Sequence, residues 1–190
     1  MDDIRSFIAI EVPQELKSRM EEVQRELRRT DADVKWVRPD AIHLTLKFLG
    51  SIRREDVERI SQAVGPVIGL WQPFEVCLQG MGCFPNLRNP RVVWVGVDRG
   101  KESLSSLKQQ VEKRMTELSF PPEDRPFSPH LTLGRVRSLR GKADLSQAVE
   151  SRKAVEVGIF QAREVILFRS ELKRSGAVYT KLKEFPMGKE

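Results

Sequence analysis

The chain has 190 residues, of which 39% are hydrophobic, so it can bury a core without metal or disulfide staples. Lys and Arg number 33 against 27 Asp and Glu, and the net charge of +6 suits either simple solubility or a polyanionic partner. The sequence contains neither an apolar run of about 18 residues nor the features of a signal peptide, so a cytoplasmic protein without a membrane span is expected.

The predicted elements mix strands and helices without regular repeats of a parallel unit. In chain order they are strand 4–12, helix 13–29, strand 34–37, strand 42–49, a helix from 51 to about 68, strands 74–83 and 91–97, helix 101–118, strand 127–136, helix 144–151, and strands 154–159, 164–172 and 178–185. Gly50 is expected to end the fourth element, and Ser51 to cap the helix that follows.

This order predicts an α+β fold, because several strands follow one another directly and therefore favour antiparallel pairing. A strand-helix-strand unit ends at His43-Leu44-Thr45-Leu46, and a second such unit ends at His130-Leu131-Thr132-Leu133, 87 residues later. A duplicated half explains this arrangement. We expect residues 1–190 to form a single bilobal domain, in which two pseudo-symmetric lobes of antiparallel sheet with outer helices enclose a cleft. Nothing in the sequence signals oligomerisation, and a monomer is expected.

The cysteines, Cys77 and Cys83, predict neither a metal site nor a disulfide. No His, Cys or paired acid lies near them at ligand spacing. Six residues along one strand would separate them by roughly 20 Å, too far for a bond unless the chain bends back. We expect buried, reduced thiols, and we predict no metal and no other cofactor.

The repeated His-Leu-Thr-Leu frame is the strongest functional signal. In a strand, residues i and i+2 share a face, so each His lies on the same side as its Thr while the leucines anchor the other side. The chain contains two histidines, and both occupy this frame. A single His on a strand is usually an ordinary polar residue, but a repeated frame that uses every His indicates a shared role.

Two histidines can supply the proton transfers that phosphodiester cleavage requires. Imidazole has an unperturbed pKa of about 6.5, so one ring can accept a proton while the other donates one. The hydroxyls of Thr45 and Thr132 can donate to the non-bridging phosphate oxygens, where charge develops. This scheme requires no metal, and the spacing alone does not say which histidine is the acid.

The motifs and their flanks resemble the bacterial and archaeal RNA 2′,3′-cyclic phosphodiesterases, the LigT or ThpR family, also called 2′-5′ RNA ligases, within the two-histidine (2H) phosphoesterases. The segments that carry the resemblance are 5–10 (RSFIAI), 43–50 (HLTLKFLG), 91–94 (RVVW), 126–135 (PFSPHLTLGR) and 167–170 (LFRS), with Tyr179. The resemblance covers essentially the whole chain. It implies two pseudo-symmetric α+β lobes around a basic cleft.

The resemblance also implies an activity and roles for the motif residues. The reaction would open a terminal 2′,3′-cyclic phosphate on RNA, such as a tRNA fragment, to leave a 2′-phosphate. His43 would be the general acid and His130 the general base, and Thr45 and Thr132 would bind the phosphate. Alternatives remain open: 2′-5′ ligation, another small cyclic or 2′-5′ phosphodiester as substrate, or a non-catalytic RNA-binding module.

Other residues are weaker candidates. Arg135 would follow the leucine face if its strand ran straight, but a bend at Gly134 could turn it toward the phosphate. Phe7 and Phe48 could stack on a base, although core positions are expected for both. Tyr179 could reach the cleft, and Trp36 could line the rim or pack in the core.

Two segments, 88–91 and 135–142, cluster basic residues and could contact the RNA backbone. A solvated charged loop would look the same in the sequence.

Overall fold

The computed structural model describes residues 3–174 and 176–188. The strands are β1 (Ile4–Glu11), β2 (Val34–Trp36), β3 (His43–Ile52), β4 (Phe74–Phe84), β5 (Val92–Val97), β6 (His130–Val136), β7 (Glu156–Ala162), β8 (Glu164–Lys173) and β9 (Gly176–Pro186). The helices are α1 (Gln14–Leu27), α2 (Asp56–Gly69), α3 (Lys101–Glu117) and α4 (Lys142–Glu150). No helix among the described residues is long and apolar enough to cross a membrane.

The strands form two antiparallel sheets, which confirms the α+β prediction. Sheet A has the order β3-β1-β8-β9, and sheet B has the order β2-β6-β5-β4-β7. The first His-Leu-Thr-Leu motif opens β3 and pairs with β1, while the second opens β6 and pairs with β5. The two motif strands also lie against each other across the boundary between the sheets.

The helix inside each strand-helix-strand unit packs on the sheet of the other half. From α1, Arg19 donates to the carbonyl of Val157 in sheet B at 3.0 Å, and Gln24 donates to the carbonyl of Leu133 at 2.8 Å. From α3, Glu112 reaches Lys47 of sheet A. As a result, the buried apolar residues of both sheets join in one continuous cluster, and the halves share a core.

The connection between β3 and α2 differs from its prediction. Gly50 has a φ of +72° and pairs with Ser6, so it lies at a bulge inside β3 rather than at its end. Ser51 is a strand residue and does not cap the helix. The carboxylate of Asp56 instead accepts the backbone N–H of Arg53 at 3.0 Å where α2 begins.

A buried ionic cluster joins the two halves behind the first motif. The side chain of Lys47 is 1% exposed, and its ammonium donates to Glu112 of α3 at 2.6 Å and to the carbonyl of Pro121 at 2.7 Å. Lys108 contacts both Glu112 and Glu123. Burial opposes ionisation of Glu112, but the hydrogen bonds from Lys108 and Lys47 outweigh it and lower the pKa of that carboxyl. The cluster therefore ties β3 to α3 and to the segment that leads into β6.

Replacing Glu112 by Ala should destabilise the protein by about 3–5 kcal/mol, because it leaves the Lys47 ammonium buried without its carboxylate. Glu117→Ala is the matched control: that carboxylate is 48% exposed on the same helix and pairs with Arg114, so about 1 kcal/mol or less is expected. Urea unfolding measures both free energies. Equal losses for the two variants would contradict this account.

Candidate active site

Each histidine is the first residue of its strand, and the Nδ1 atom of each contacts the backbone carbonyl of the residue two positions earlier. The Nδ1 atom of His43 lies 2.8 Å from the carbonyl oxygen of Ala41, and the Nδ1 atom of His130 lies 2.7 Å from that of Ser128. A carbonyl can only accept, so Nδ1 carries the proton on each neutral ring. The Nε2 atom of both rings is therefore the nitrogen left to accept or donate a proton toward a ligand.

Aromatic rings hold His43 on the cleft face, which is the face of each sheet that carries the motif His and Thr side chains, opposite the buried leucines. Its ring stacks on Phe7 with the centroids 4.5 Å apart, and the edge of Tyr179 approaches it at 5.1 Å. Phe7 also stacks on Phe168 of β8 at 5.2 Å. These aromatic residues with Ala9 and Ile166 make a small apolar cluster separate from the main core. Phe7 is 3% exposed, so it lies beneath the imidazole.

His130 has a comparable support on sheet B. The ring of Phe84 meets it edge to face at 4.8 Å, and Phe84 also contacts Trp94 at 5.2 Å. Trp94 lies across Gly82, where a Cβ atom would clash with the indole, so any larger residue there would displace the ring. Both histidines are thus held by aromatic side chains from neighbouring strands.

A bulge falls at the fourth residue of both motifs. In β3, Thr45 pairs with Ala9 and Lys47 pairs with Ile8, so Leu46 between them has no partner. In β6, Thr132 pairs with Trp94 and Gly134 pairs with Val93, so Leu133 between them has no partner. Each bulge moves the residues that follow it to the face opposite the one that simple alternation would give them. Lys47 therefore points toward the helices, while Phe48 and Arg135 follow on the cleft face.

This bulge resolves the two directions that the sequence allowed for Arg135. Its partner across the sheet is Val92, which shares the face of Trp94 and hence of Thr132. The charge of the guanidinium lowers the pKa of His130 and opposes the rise in the pKa of Tyr179, so it acts on side chains of both sheets. The bend places Arg135 beside the second motif.

Thr45 and Thr132 lie on the cleft face with their histidines and are half-buried. Within residues 3–174 and 176–188, neither hydroxyl donates to or accepts from another side chain or the backbone. Both are therefore available to a ligand in the cleft.

Both histidines favour the neutral form in the free protein. Burial lowers the pKa of His43 to about 4, with a further decrease from the charge of Lys17, although the hydrogen bond to Ala41 opposes the change. Burial also lowers the pKa of His130, the bond to Ser128 opposes it, and the charge of Arg135 adds to it. A bound phosphate would raise both values, because a nearby negative charge favours imidazolium.

The structure corrects the expectation for Phe48 and decides between the two positions that the sequence left open for Trp36. Phe48 is 61% exposed rather than part of a core, because the bulge at Leu46 turns it onto the cleft face, 6.2 Å from Phe7. Trp36 lies on the opposite face of β2 from the cleft, against Gly134 and with the guanidinium of Arg28 5.5 Å from its ring centre.

The two basic segments lie together at one end of sheet B. Lys142 donates to the side-chain oxygen of Asn89 at 2.9 Å and so links residues 88–91 with residues 135–142. Contact of either segment with RNA stays a prediction.

The sequence did not single out Phe84, Trp94 or Phe168 as supports of the histidines. Phe84 and Phe168 reach the rings from strands distant in sequence, and only the pairing of those strands reveals them. No group of three or more His, Cys, Asp or Glu side chains in the described part of the chain is arranged to hold a metal ion.

Comparison with known proteins decides the family. The profile described as "LigT like Phosphoesterase" matches residues 10–94 and again residues 95–179, one copy for each motif. The chain belongs to the LigT-like phosphoesterase family. A protein of Methanothermobacter thermautotrophicus named RNA 2′,3′-cyclic phosphodiesterase is 37% identical to this LigT-like chain, over 96% of this chain and 98% of that one.

Solved structures of the family share the fold. Protein TT0787 of Thermus thermophilus superposes with a TM-score of 0.81 at 31% identity, covering 98% of this LigT-like phosphoesterase and 99% of that chain. LigT of Escherichia coli, crystallised with 3′-AMP, also gives 0.81 at 25% identity and the same coverage.

Nuclear magnetic resonance titration of the imidazoles tests the electrostatics of the site. The pKa of His43 should be about 4 and that of His130 below 6.5, with the proton on Nδ1 of both neutral rings. Arg135→Gln should raise the pKa of His130 and leave that of His43 unchanged, because the lost charge acts on the second motif. A His43 pKa at or above 6.5 would refute the burial argument.

Proposed function

We propose that this LigT-like phosphoesterase hydrolyses the 2′,3′-cyclic phosphate at the end of an RNA chain to a 2′-phosphate. The observation that carries the proposal is the pair of histidines, each held through Nδ1 by a carbonyl two residues earlier and each leaving Nε2 for proton transfer. The relatives named RNA 2′,3′-cyclic phosphodiesterase support the substrate class. Membership of a phosphoesterase family disfavours a module that only binds RNA.

The reaction needs one proton removed and one delivered. Nε2 of His130 accepts a proton from water as the water oxygen bonds to phosphorus, and the bond from phosphorus to the 3′ oxygen breaks. His43 donates its Nε2 proton to that departing oxygen. The products are a 3′-hydroxyl and a 2′-phosphate. Each motif with its supporting rings forms one half-site. The two half-sites are too alike for their geometry to distinguish acid from base, so the resemblance to the family assigns these roles.

The remaining polar groups stabilise the charge on the phosphate. The hydroxyls of Thr45 and Thr132 lie on the same face as their histidines and donate to non-bridging oxygens. Arg135 adds a cationic donor from beyond the bulge. Phe48 offers an exposed ring to a base, whereas Phe7 and Tyr179 support the His43 ring. No metal or other cofactor enters this scheme.

We further propose that residues 1–190 act as one bilobal domain and as a monomer, because both half-sites lie on one chain and the helices are exchanged between halves. The cytoplasm is the expected compartment, since Cys77 and Cys83 are free and buried, as is typical of reducing surroundings. RNA ends such as those of tRNA fragments would be the substrates.

Removing either imidazole should abolish most of the turnover. With an RNA ending in a 2′,3′-cyclic phosphate and excess EDTA, His43→Ala and His130→Ala should each lower kcat by at least about 100-fold, the usual contribution of general acid or base catalysis. Mass spectrometry and phosphatase treatment identify the product. Thr116→Val, on α3, controls for unspecific effects, and unchanged turnover in either His variant would refute the mechanism.

The pH dependence follows from the lowered pKa values. The reaction needs one protonated and one neutral histidine, and kcat/KM reports the free enzyme. Above the higher pKa both rings are neutral and the rate falls; below the lower pKa both are protonated and the rate falls again. Both limbs of the kcat/KM profile should therefore lie below pH 6.5, while bound phosphate shifts the kcat limbs upward. An alkaline kcat/KM limb centred above 6.5 would contradict this prediction.

A further inference from the structure

A second cation lies beside Arg135 on the cleft face, on the edge strand of sheet B. In the pairing of β2 with β6, Lys35 is directly opposite Arg135, and the two side chains share a face. The next residue, Trp36, points the other way and packs against Gly134. Lys35 is exposed, and it extends the face of Thr132 and Arg135 outward to the rim of the sheet.

Two cations directly opposite each other across a strand pair repel, and such pairs destabilise a sheet unless an anion lies between or beside them. Their Cβ atoms are about 5 Å apart in an antiparallel pair. Neither Lys35 nor Arg135 forms an ion pair with a carboxylate in the part of the chain that the structure describes. The pair is therefore available to negative groups from a ligand.

The position of the pair relative to the motifs suggests which negative groups these are. Arg135 is paired with Val92 and shares the face of Thr132, so it lies beside the second motif, and its charge lowers the pKa of His130. Lys35 lies one strand further from the motif, and the basic segments 88–91 and 135–142 meet at the same end of the sheet. A chain of phosphates that begins at the histidines would pass over Arg135 and then over Lys35.

We propose that Lys35 binds the phosphodiester next to the cyclic phosphate, and so makes the enzyme prefer the end of a polynucleotide over a mononucleotide. This inference rests on the proposed function. A nucleoside 2′,3′-cyclic monophosphate carries a single phosphate, which the motifs and Arg135 would occupy, and it would leave Lys35 without a partner. An RNA end supplies a phosphate for both cations.

The test compares a tetranucleotide ending in a 2′,3′-cyclic phosphate with a nucleoside 2′,3′-cyclic monophosphate. Lys35→Gln should lower kcat/KM on the tetranucleotide about fivefold to tenfold, mainly through KM, and leave the mononucleotide unchanged. The slope of log kcat/KM against log salt on the tetranucleotide should fall by about 0.7, the value for one phosphate contact on a single strand. Lys35→Arg should retain the wild-type preference.

Lys183→Gln is the matched control, because Lys183 is an exposed strand lysine that pairs with Glu58 of α2 on the outer side of sheet A. It should change neither substrate. An equal effect of Lys35→Gln on both substrates, or no effect on either, would overturn the inference while leaving the proposed hydrolysis intact. A wild-type protein that cleaves neither substrate would overturn the proposed function, and this inference with it.

Discussion

The proposed chemistry depends on the hydrogen bond from each histidine to the carbonyl two residues before it. The bond fixes the neutral tautomer and the direction of the ring, so that the same nitrogen of both imidazoles remains for the ligand. Each histidine is the first residue of its strand, so the carbonyl two residues earlier lies outside the sheet. The aromatic rings beneath the histidines then keep them from rotating and lower their pKa values by excluding water.

The bulges at Leu46 and Leu133 give the two half-sites the same backbone arrangement but different side chains. At equivalent positions after the bulge, sheet A presents Phe48 and sheet B presents Arg135. A flat aromatic face suits a base, and a guanidinium suits a phosphate. The duplication explains the two histidines, and we propose that the divergence at this position distinguishes one side of the ligand from the other.

Much of this architecture could be predicted from the sequence. The alternation in His-Leu-Thr-Leu placed the histidines and threonines on one face, and the leucines of both motifs are indeed fully buried. The predicted start of α2 was wrong, because Ser51 resembled a helix cap, whereas the pairing of Gly50 with Ser6 extends the strand. The exchange of α1 and α3 between halves, the bulges and the support from Phe84 and Phe168 depend on contacts between distant segments, which local patterns do not encode.

In the proposed reaction, both half-sites hold one phosphate at once. A crystal structure of the protein with a nucleoside 2′-monophosphate, the product of the proposed reaction, tests it most directly. We expect Nε2 of His43 and of His130 within about 3.2 Å of oxygens on the phosphate or the ribose, and both threonine hydroxyls on the same phosphate. A phosphate bound by one motif alone, or outside the cleft, would contradict a shared site.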